Sequence, residues 1–435
     1  MFVNHEFNLY SAVDKITAFK YTLKKYRYFW STLKLDTFLN QTFERLLDKT
    51  DLSFKRYLYN NFRLSRLTGI IGPRGVGKTT LMLQYIKENL IKDQKTFYFS
   101  ADSIYFRQST LLEFINELYN LEGYRIFFID EIHKYANWNQ ELKNLYDAFP
   151  DIKIIYSGSS MLELTKGSYD LSRRVKLYHL PGMSFREYLN FVGQSNIKPI
   201  KLSALLANPK SFNKLGKLDT IMKHFKKYLE TGYYPFVFEE PHTYYERVMR
   251  IIDKIIFEDI PSYFDLKTHN LHLFKKILSY LATIPPGEVN TNNIAKNMNV
   301  AHQTVFNYLT ILESVGLIQM VYPFEGGNQY LRKPQKIFLH NTTLLYTSQQ
   351  FVGKELYKGT LRELYFLQTL RDANKKVYYS KQADYRTKDT IFEIGGKNKT
   401  SKQIANLDMP AILVKDDILI ASQHVIPLLF LGFIY

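Results

Sequence analysis

Between residues 67 and about 180 short apolar runs alternate with stretches of helical pattern. The runs are "LTGII", "TFYFS", "RIFFID", "KIIYS" and "VKLYHL", each of strand length, and their alternation with helical segments is the signature of βαβ units around a parallel sheet. After "LPGMSFREYL" the pattern turns polar and helix-forming to about 270, with a turn at "ETGYYP". Helices and a compact wing-like segment follow to about 340, then a mixed α/β part. Residues 1 to about 66 read as helical, basic and aromatic, with twelve Lys and Arg against six Asp and Glu. That balance fits either a solvated helical face or a contact for nucleic acid or a protein partner. No internal repeat of 20 to 50 residues is apparent.

Composition narrows the class. At 435 residues the chain is long enough for about three domains, and 46% hydrophobic with 23% charged content excludes wholesale disorder. A formal charge of +17 favours polyanionic partners. Cysteine is absent, which excludes disulfides and thiolate metal sites and fits a reducing compartment. The 34 Tyr and 32 Phe reflect AT-rich coding or a stacking surface. The start "MFVNHEFNLY" has no basic region followed by an apolar stretch. The longest apolar tract, "IPLLFLGFIY" at 426 to 435, is far shorter than the ~20 residues of a membrane-spanning helix. A cytoplasmic protein without a membrane partner is expected.

Chemistry enters at "LTGIIGPRGVGKTTLMLQYI". Gly72, Gly77, Lys78 and Thr79 satisfy G-x-x-x-x-G-K-[ST], with a strand before and a helix after. Glycine is required where the loop turns its amides inward and approaches a polyphosphate closely. Gly72, Pro73, Arg74, Gly75, Val76, Gly77, Lys78, Thr79 and Thr80 are the expected nucleotide-binding set, the loop amides and the helix N-terminus forming the anion site. Lys78 reaches the β- and γ-phosphates, and the Thr79 hydroxyl ligates Mg²⁺. The cofactors expected are therefore ATP and Mg²⁺.

Asp130 and Glu131 close the apolar run "RIFFIDE", the form of a buried strand carrying acids to the ligand edge of a sheet. Asp130 then holds the Mg²⁺ shell, and Glu131 orients and deprotonates the attacking water. Ser157, ending the next strand, either bonds the water or γ-phosphate or serves turn chemistry. Arg173 and Arg174, at the entry of the fifth strand, are either a surface pair or a source of charge for a neighbouring subunit's nucleotide.

The set "GPRGVGKTT", "IDEIHKYANWNQELKNLYD", "YSGSS", "LSRRVKLYHLPGMSFREYL" and "YLETGYYPF" resembles the AAA+-type ATPases of bacteria and archaea that fuse a P-loop module to a winged helix and a nuclease-like C-terminal domain of unknown function. The likeness runs from about 55 to 435. It implies Mg-ATP binding and slow hydrolysis, a γ-phosphate sensor at Ser157 and an arginine finger at Arg174, ten residues before the Ser of "SFRE". The implied fold is α/β: a P-loop parallel sheet with helical lid, winged helix and restriction-endonuclease-like domain. The expected segments are 1–60, helical and basic; 61–190, the ATPase core; 191–265, lid and linker; 266–340, winged helix; and 341–435, nuclease-like.

Within 266–340, "LFKKILSYLATI", "NTNNIAKNMNV" and "AHQTVFNYLTILESVGLI" read as three helices. In the third, Val305, Leu309, Leu312 and Val315 share a face, leaving His302, Gln303 and Asn307 outside, as in a recognition helix. That outer face carries no Arg or Lys; the wing supplies Arg332, Lys333 and Lys336. DNA contact and protein docking both remain open for it. In the tail, Glu363, Asp384 and Glu393 suggest a metal-dependent nuclease, which needs a lysine two residues after the last acid. Gly395 stands there and Lys397 two further on, so the triad reads as broken and a binding-only domain is expected. The function expected is ATP hydrolysis that switches conformation on nucleic acid or a protein partner, with homo-oligomers implied by a finger in trans. The alternatives are a nucleotide-gated DNA-binding regulator and, less favoured, a nuclease.

Overall fold

The computed structural model describes residues 38–90, 95–159, 171, 173–193, 196–264, 266, 270–324, 333–353, 355–405 and 407–435, without the side chain of residue 288. Residues 1–37 of the basic segment, and Arg332, lie outside the described residues.

The strands are β1 (Leu67–Ile71), β2 (Thr96–Ser100), β3 (Ile126–Asp130), β4 (Lys153–Gly158) and β5 (Lys176–His179), then β6 (Ile318–Val321), β7 (Lys336–Leu339), β8 (Tyr378–Tyr379), β9 (Tyr385–Arg386), β10 (Ile391–Gly395), β11 (Ala411–Lys415) and β12 (Val425–Pro427). The helices used below are α1 (Lys78–Asn89), α2 (Leu111–Glu117), α3 (Trp138–Ala148), α4 (Phe185–Phe191), α5 (Ile221–Thr231), α6 (Tyr244–Lys254), α7 (Leu271–Thr283), α8 (Thr291–Met298), α9 (His302–Ser314), α10 (Thr342–Val352) and α11 (Lys358–Asp372). All five apolar runs of the N-terminal half are strands. The described residues fall into two compact units, the first drawn from 1–53, 64–67 and 82–156, the second from 54–63, 68–81 and 157–435.

In the first unit β2, β3 and β4 pair in parallel, with Ser100 beside Asp130 and Ile129 beside Tyr156. Phe127, Phe128 and Ile129 are fully buried, because the strand is covered on both faces. α2 opens with a capping box in which Thr110 and Glu113 satisfy each other's backbone amides. Its Phe114 ring meets Phe97, Phe99, Tyr105 and Phe106 edge-on, with centroids 5.1–5.9 Å apart. Part of the aromatic richness is thus core packing.

In the second unit β1 pairs with β5 in parallel, Ile70 beside Tyr178. Further along the chain, α7, α8 and α9 precede an antiparallel hairpin, β6 with β7, Met320 beside Ile337. Val305, Leu309, Leu312 and Val315 are buried as their spacing predicts, and Gln303 and Asn307 are exposed. The C-terminal sheet runs β12-β11-β10-β9-β8, parallel across β10, β11 and β12 and antiparallel at β9 and β8. The Phe366 ring of α11 packs on Tyr385 and Phe392, at 5.5 and 5.1 Å.

Candidate functional site

β1 ends at Ile71 and α1 begins at Lys78, leaving Gly72–Gly77 as the turn between them. Gly75 and Gly77 take φ of +79° and +94°, the left-handed region where a Cβ is strained. Gly72 is glycine for another reason: a Cβ there would lie 2.1 Å from the Leu180 carbonyl oxygen. Lys78 is buried, and its Nζ donates to the carbonyls of Gly72 and Pro73 at 2.9 and 3.0 Å. The ammonium is thereby held against the loop. Thr79 is half-buried and Thr80 exposed.

Two groups that sequence reasoning did not single out hold this loop. Arg56 donates through Nη1 to the Val76 carbonyl, through Nη2 to the carbonyls of Pro181 and Gly182 at 2.8 and 2.9 Å, and through Nε to Glu187 at 3.0 Å. Glu187 also accepts from the Tyr57 and Ser184 amides at 2.7 and 3.0 Å, and with Ser184 forms the capping box of α4. Burial opposes charge on both groups, yet their mutual attraction prevails, holding Arg56 above its usual range and Glu187 below its own. The S-x-x-E spacing of "SFRE" was the available signal for the cap. Nothing near Arg56 marks its role.

The second support comes from the region after "ETGYYP". Asp259 takes both Nε and Nη2 of Arg74, at 2.7 and 2.8 Å. Phe236 and Ile251 lie against Gly75, close enough that a Cβ there would come within 2.9 and 3.0 Å of them. The Arg74 side chain is therefore committed to Asp259, and its contribution to an anion site narrows to its backbone amide.

In the first unit Asp130 is 5% exposed at the end of β3 and accepts from the Tyr98 hydroxyl at 2.9 Å and from the Glu131 amide at 3.1 Å. Burial and the neighbouring carboxylate raise the Tyr98 hydroxyl far above its ordinary range, so it stays a donor. Glu131 leaves the strand at φ +51°, unusual for a residue with a Cβ. Its Oε2 lies 3.3 Å from Nε2 of the buried His133. Ser157 is fully buried. Arg173 is exposed and Arg174 half-buried just before β5.

In the tail the buried Glu393 carboxylate is paired with the Nζ of Lys399, a residue that sequence reasoning did not single out. A Cβ on Gly395 would lie 2.5 Å from both Cβ and Cγ of Lys399, whose stem occupies the space a side chain at 395 would take. Lys336, expected as a wing cation, instead reaches Glu363 at 2.6 Å and Asp384 at 3.7 Å. A hairpin strand beside these carboxylates makes the ion pair the better partner for it. Among the described residues no group of three or more His, Cys, Asp or Glu is placed to hold a metal ion, and no helix is long and apolar enough to cross a membrane.

Comparison with known proteins agrees with the loop. Residues 64–189 match a family model described as an AAA domain, and residues 222–354 match a domain of unknown function (DUF8612). An uncharacterised protein of Methanocaldococcus jannaschii is 30% identical over 309 residues, 68% of this chain and 63% of the relative; the chain thus spans under two thirds of its length. Among solved structures, the Thermotoga maritima RuvB Holliday junction branch migration motor matches at 16% identity over 74% of this chain and 98% of that one, with a TM-score of 0.26. DnaA from Aquifex aeolicus, bound to AMPPCP, matches at 16% identity over 59% and 84%, with a TM-score of 0.25. Scores this low transfer no function. The sequence match places an AAA domain at 64–189, the stretch that contains the glycine loop and both strand-end acids.

Proposed function

We propose that this chain is an ATP-binding, Mg²⁺-dependent P-loop ATPase of AAA+ type whose hydrolysis switches conformation on a nucleic-acid or protein partner. One observation carries the reading: a turn with two left-handed glycines, a third glycine in backbone contact and a buried lysine at its exit. That arrangement fits a polyphosphate, since the loop amides are free of side-chain bulk and the cation is already positioned. Magnesium, when bound, neutralises charge on the phosphate oxygens.

The residues divide the work. Lys78 binds the β- and γ-phosphates, and the loop amides orient them. The Thr79 hydroxyl and the Asp130 carboxylate hold the metal. Glu131 orients the attacking water and takes its proton on a carboxylate oxygen; its left-handed backbone is the kind of strain that persists where a side chain must be aimed. Ser157 senses the γ-phosphate, and Arg174, with Arg173 beside it, reaches the nucleotide of a second copy. The helices α7–α9 and the β6–β7 hairpin are read as a winged helix, and the tail as a binding domain of nuclease-like type.

Calorimetry of the full chain with ATP and ADP, with and without Mg²⁺, tests the proposal, together with a phosphate-release assay. Lys78→Ala should abolish Mg-ATP binding, and Glu131→Gln should keep binding while turnover stops. Tight ATP binding by the Lys78 variant, or no nucleotide binding by the folded wild type, refutes it.

A further inference from the structure

The second unit carries a groove of about 1130 Å³ that the ATPase reading leaves unused. It is lined by residues between 199 and 206 on one side and by residues between 373 and 378 and 387–390 on the other. Its lining includes Lys201, Lys375, Lys376 and Lys388, all exposed, with Asp389 as the opposing acid. Among the described residues none of the four lysines enters an ion pair, in contrast to Lys336 and Lys399. Phe324 also lines the groove, 36% exposed, edge-on to Tyr378 at 5.2 Å. The Arg386 guanidinium lies 3.6 Å from the centre of the Phe324 ring.

We infer that this groove binds single-stranded nucleic acid. Four ammonium groups without an ion pair among the described residues, against one carboxylate of the lining, attract a polyanion. The Phe324 and Tyr378 rings in the lining offer bases a stacking surface, which an acidic peptide would not use. A concave site reaches those rings only with bases turned out of a duplex, so the strand is unpaired. The alternative surface is poorer. The outer face of α9 bears no Lys or Arg, and Lys336 of the hairpin is neutralised by Glu363. The inference goes beyond the ATPase reading and does not depend on it, because the groove shares no residue with the glycine loop.

Fluorescence anisotropy of the full chain tests this without nucleotide, using labelled oligothymidylate alone or annealed to oligoadenylate, over about 50 to 200 mM salt. Single strands should bind more tightly than the duplex, with affinity falling as salt rises. The double variant Lys375→Glu, Lys376→Glu should shallow the salt slope by roughly 1.4, at ~0.7 for each phosphate no longer neutralised. Phe324→Leu, which keeps apolar bulk, should weaken binding about five-fold or more with the slope unchanged. Lys226→Glu, on the exposed side of α5, should change neither. Thermal melting by circular dichroism confirms that each variant folds. The inference is overturned if wild type binds no single strand at low salt, if the lysine variant keeps the wild-type slope, if Phe324→Leu binds as wild type, or if duplex binds as tightly. Capture of polyglutamate without capture of oligothymidylate would also overturn it. Because no ATP is present, these outcomes leave the nucleotide reading untouched.

Discussion

Arg74 and Asp259, 185 positions apart, meet fork to fork: Nε and Nη2 each donate to one carboxylate oxygen, with the Asp259 side chain only 2% exposed. A residue of the glycine loop is thus fastened to the helical segment that follows α6. Breaking one partner of such a pair leaves a buried charge uncompensated, which typically costs about 3–5 kcal/mol, whereas removing both costs far less. Asp259→Asn should therefore lower the urea midpoint strongly, and Arg74→Met with Asp259→Leu should recover most of the loss. Equal destabilisation by single and double variants would remove the pair from this account.

Arg56 and Glu187 form a second such pair, with the added tie to the Val76 carbonyl. Glu187→Gln retains the shape but removes the charge. Stability should fall, and Mg-ATP affinity should fall with it, because Arg56, which holds the Val76 carbonyl, loses the carboxylate that positions it. Calorimetry at a temperature where the variant remains folded separates the two effects.

Glu131 combines a left-handed backbone with the role of orienting water. Glycine adopts that conformation without strain, so Glu131→Gly should raise stability by roughly 0.5–1 kcal/mol while eliminating phosphate release. A destabilised variant would show that the side chain is a structural support instead.

Glu313, at the end of α9, is pushed up to about 7 by burial, partly offset by the Met320 amide that it accepts at 2.7 Å. Between the ordinary carboxylate range and about 7 the folded chain holds a proton that the unfolded chain has released. Stability should therefore decline as pH rises through that window, by at most about 3 kcal/mol. Glu313→Gln should flatten the decline in chemical unfolding followed from pH 4.5 to 7.5.

The strands and the glycine loop were legible because their signals are local: apolar runs, glycines at fixed offsets, acids at a strand end. The buried face of α9 followed from helical spacing in the same way. What escaped the sequence depends on contacts between distant segments. Arg56 lies upstream of β1 and resembles any surface arginine, yet it is 4% exposed and bonded to three backbone carbonyls. Arg74 reads as a loop residue available to phosphate until Asp259 arrives from another part of the chain. Lys336 reads as a wing cation until α11 brings Glu363 beside it.

Lys399 and Gly395 carry a lesson for reading relatives of this chain. The ammonium beside Glu393 arrives from six residues downstream and enters a space left open by a missing side chain. A comparison made position by position misses this pairing, because the cation and the gap that its stem fills belong to different positions of the chain. A search for relatives of this tail should therefore match charges by where they meet in three dimensions, and glycine at 395 should travel with lysine at 399 as a linked exchange.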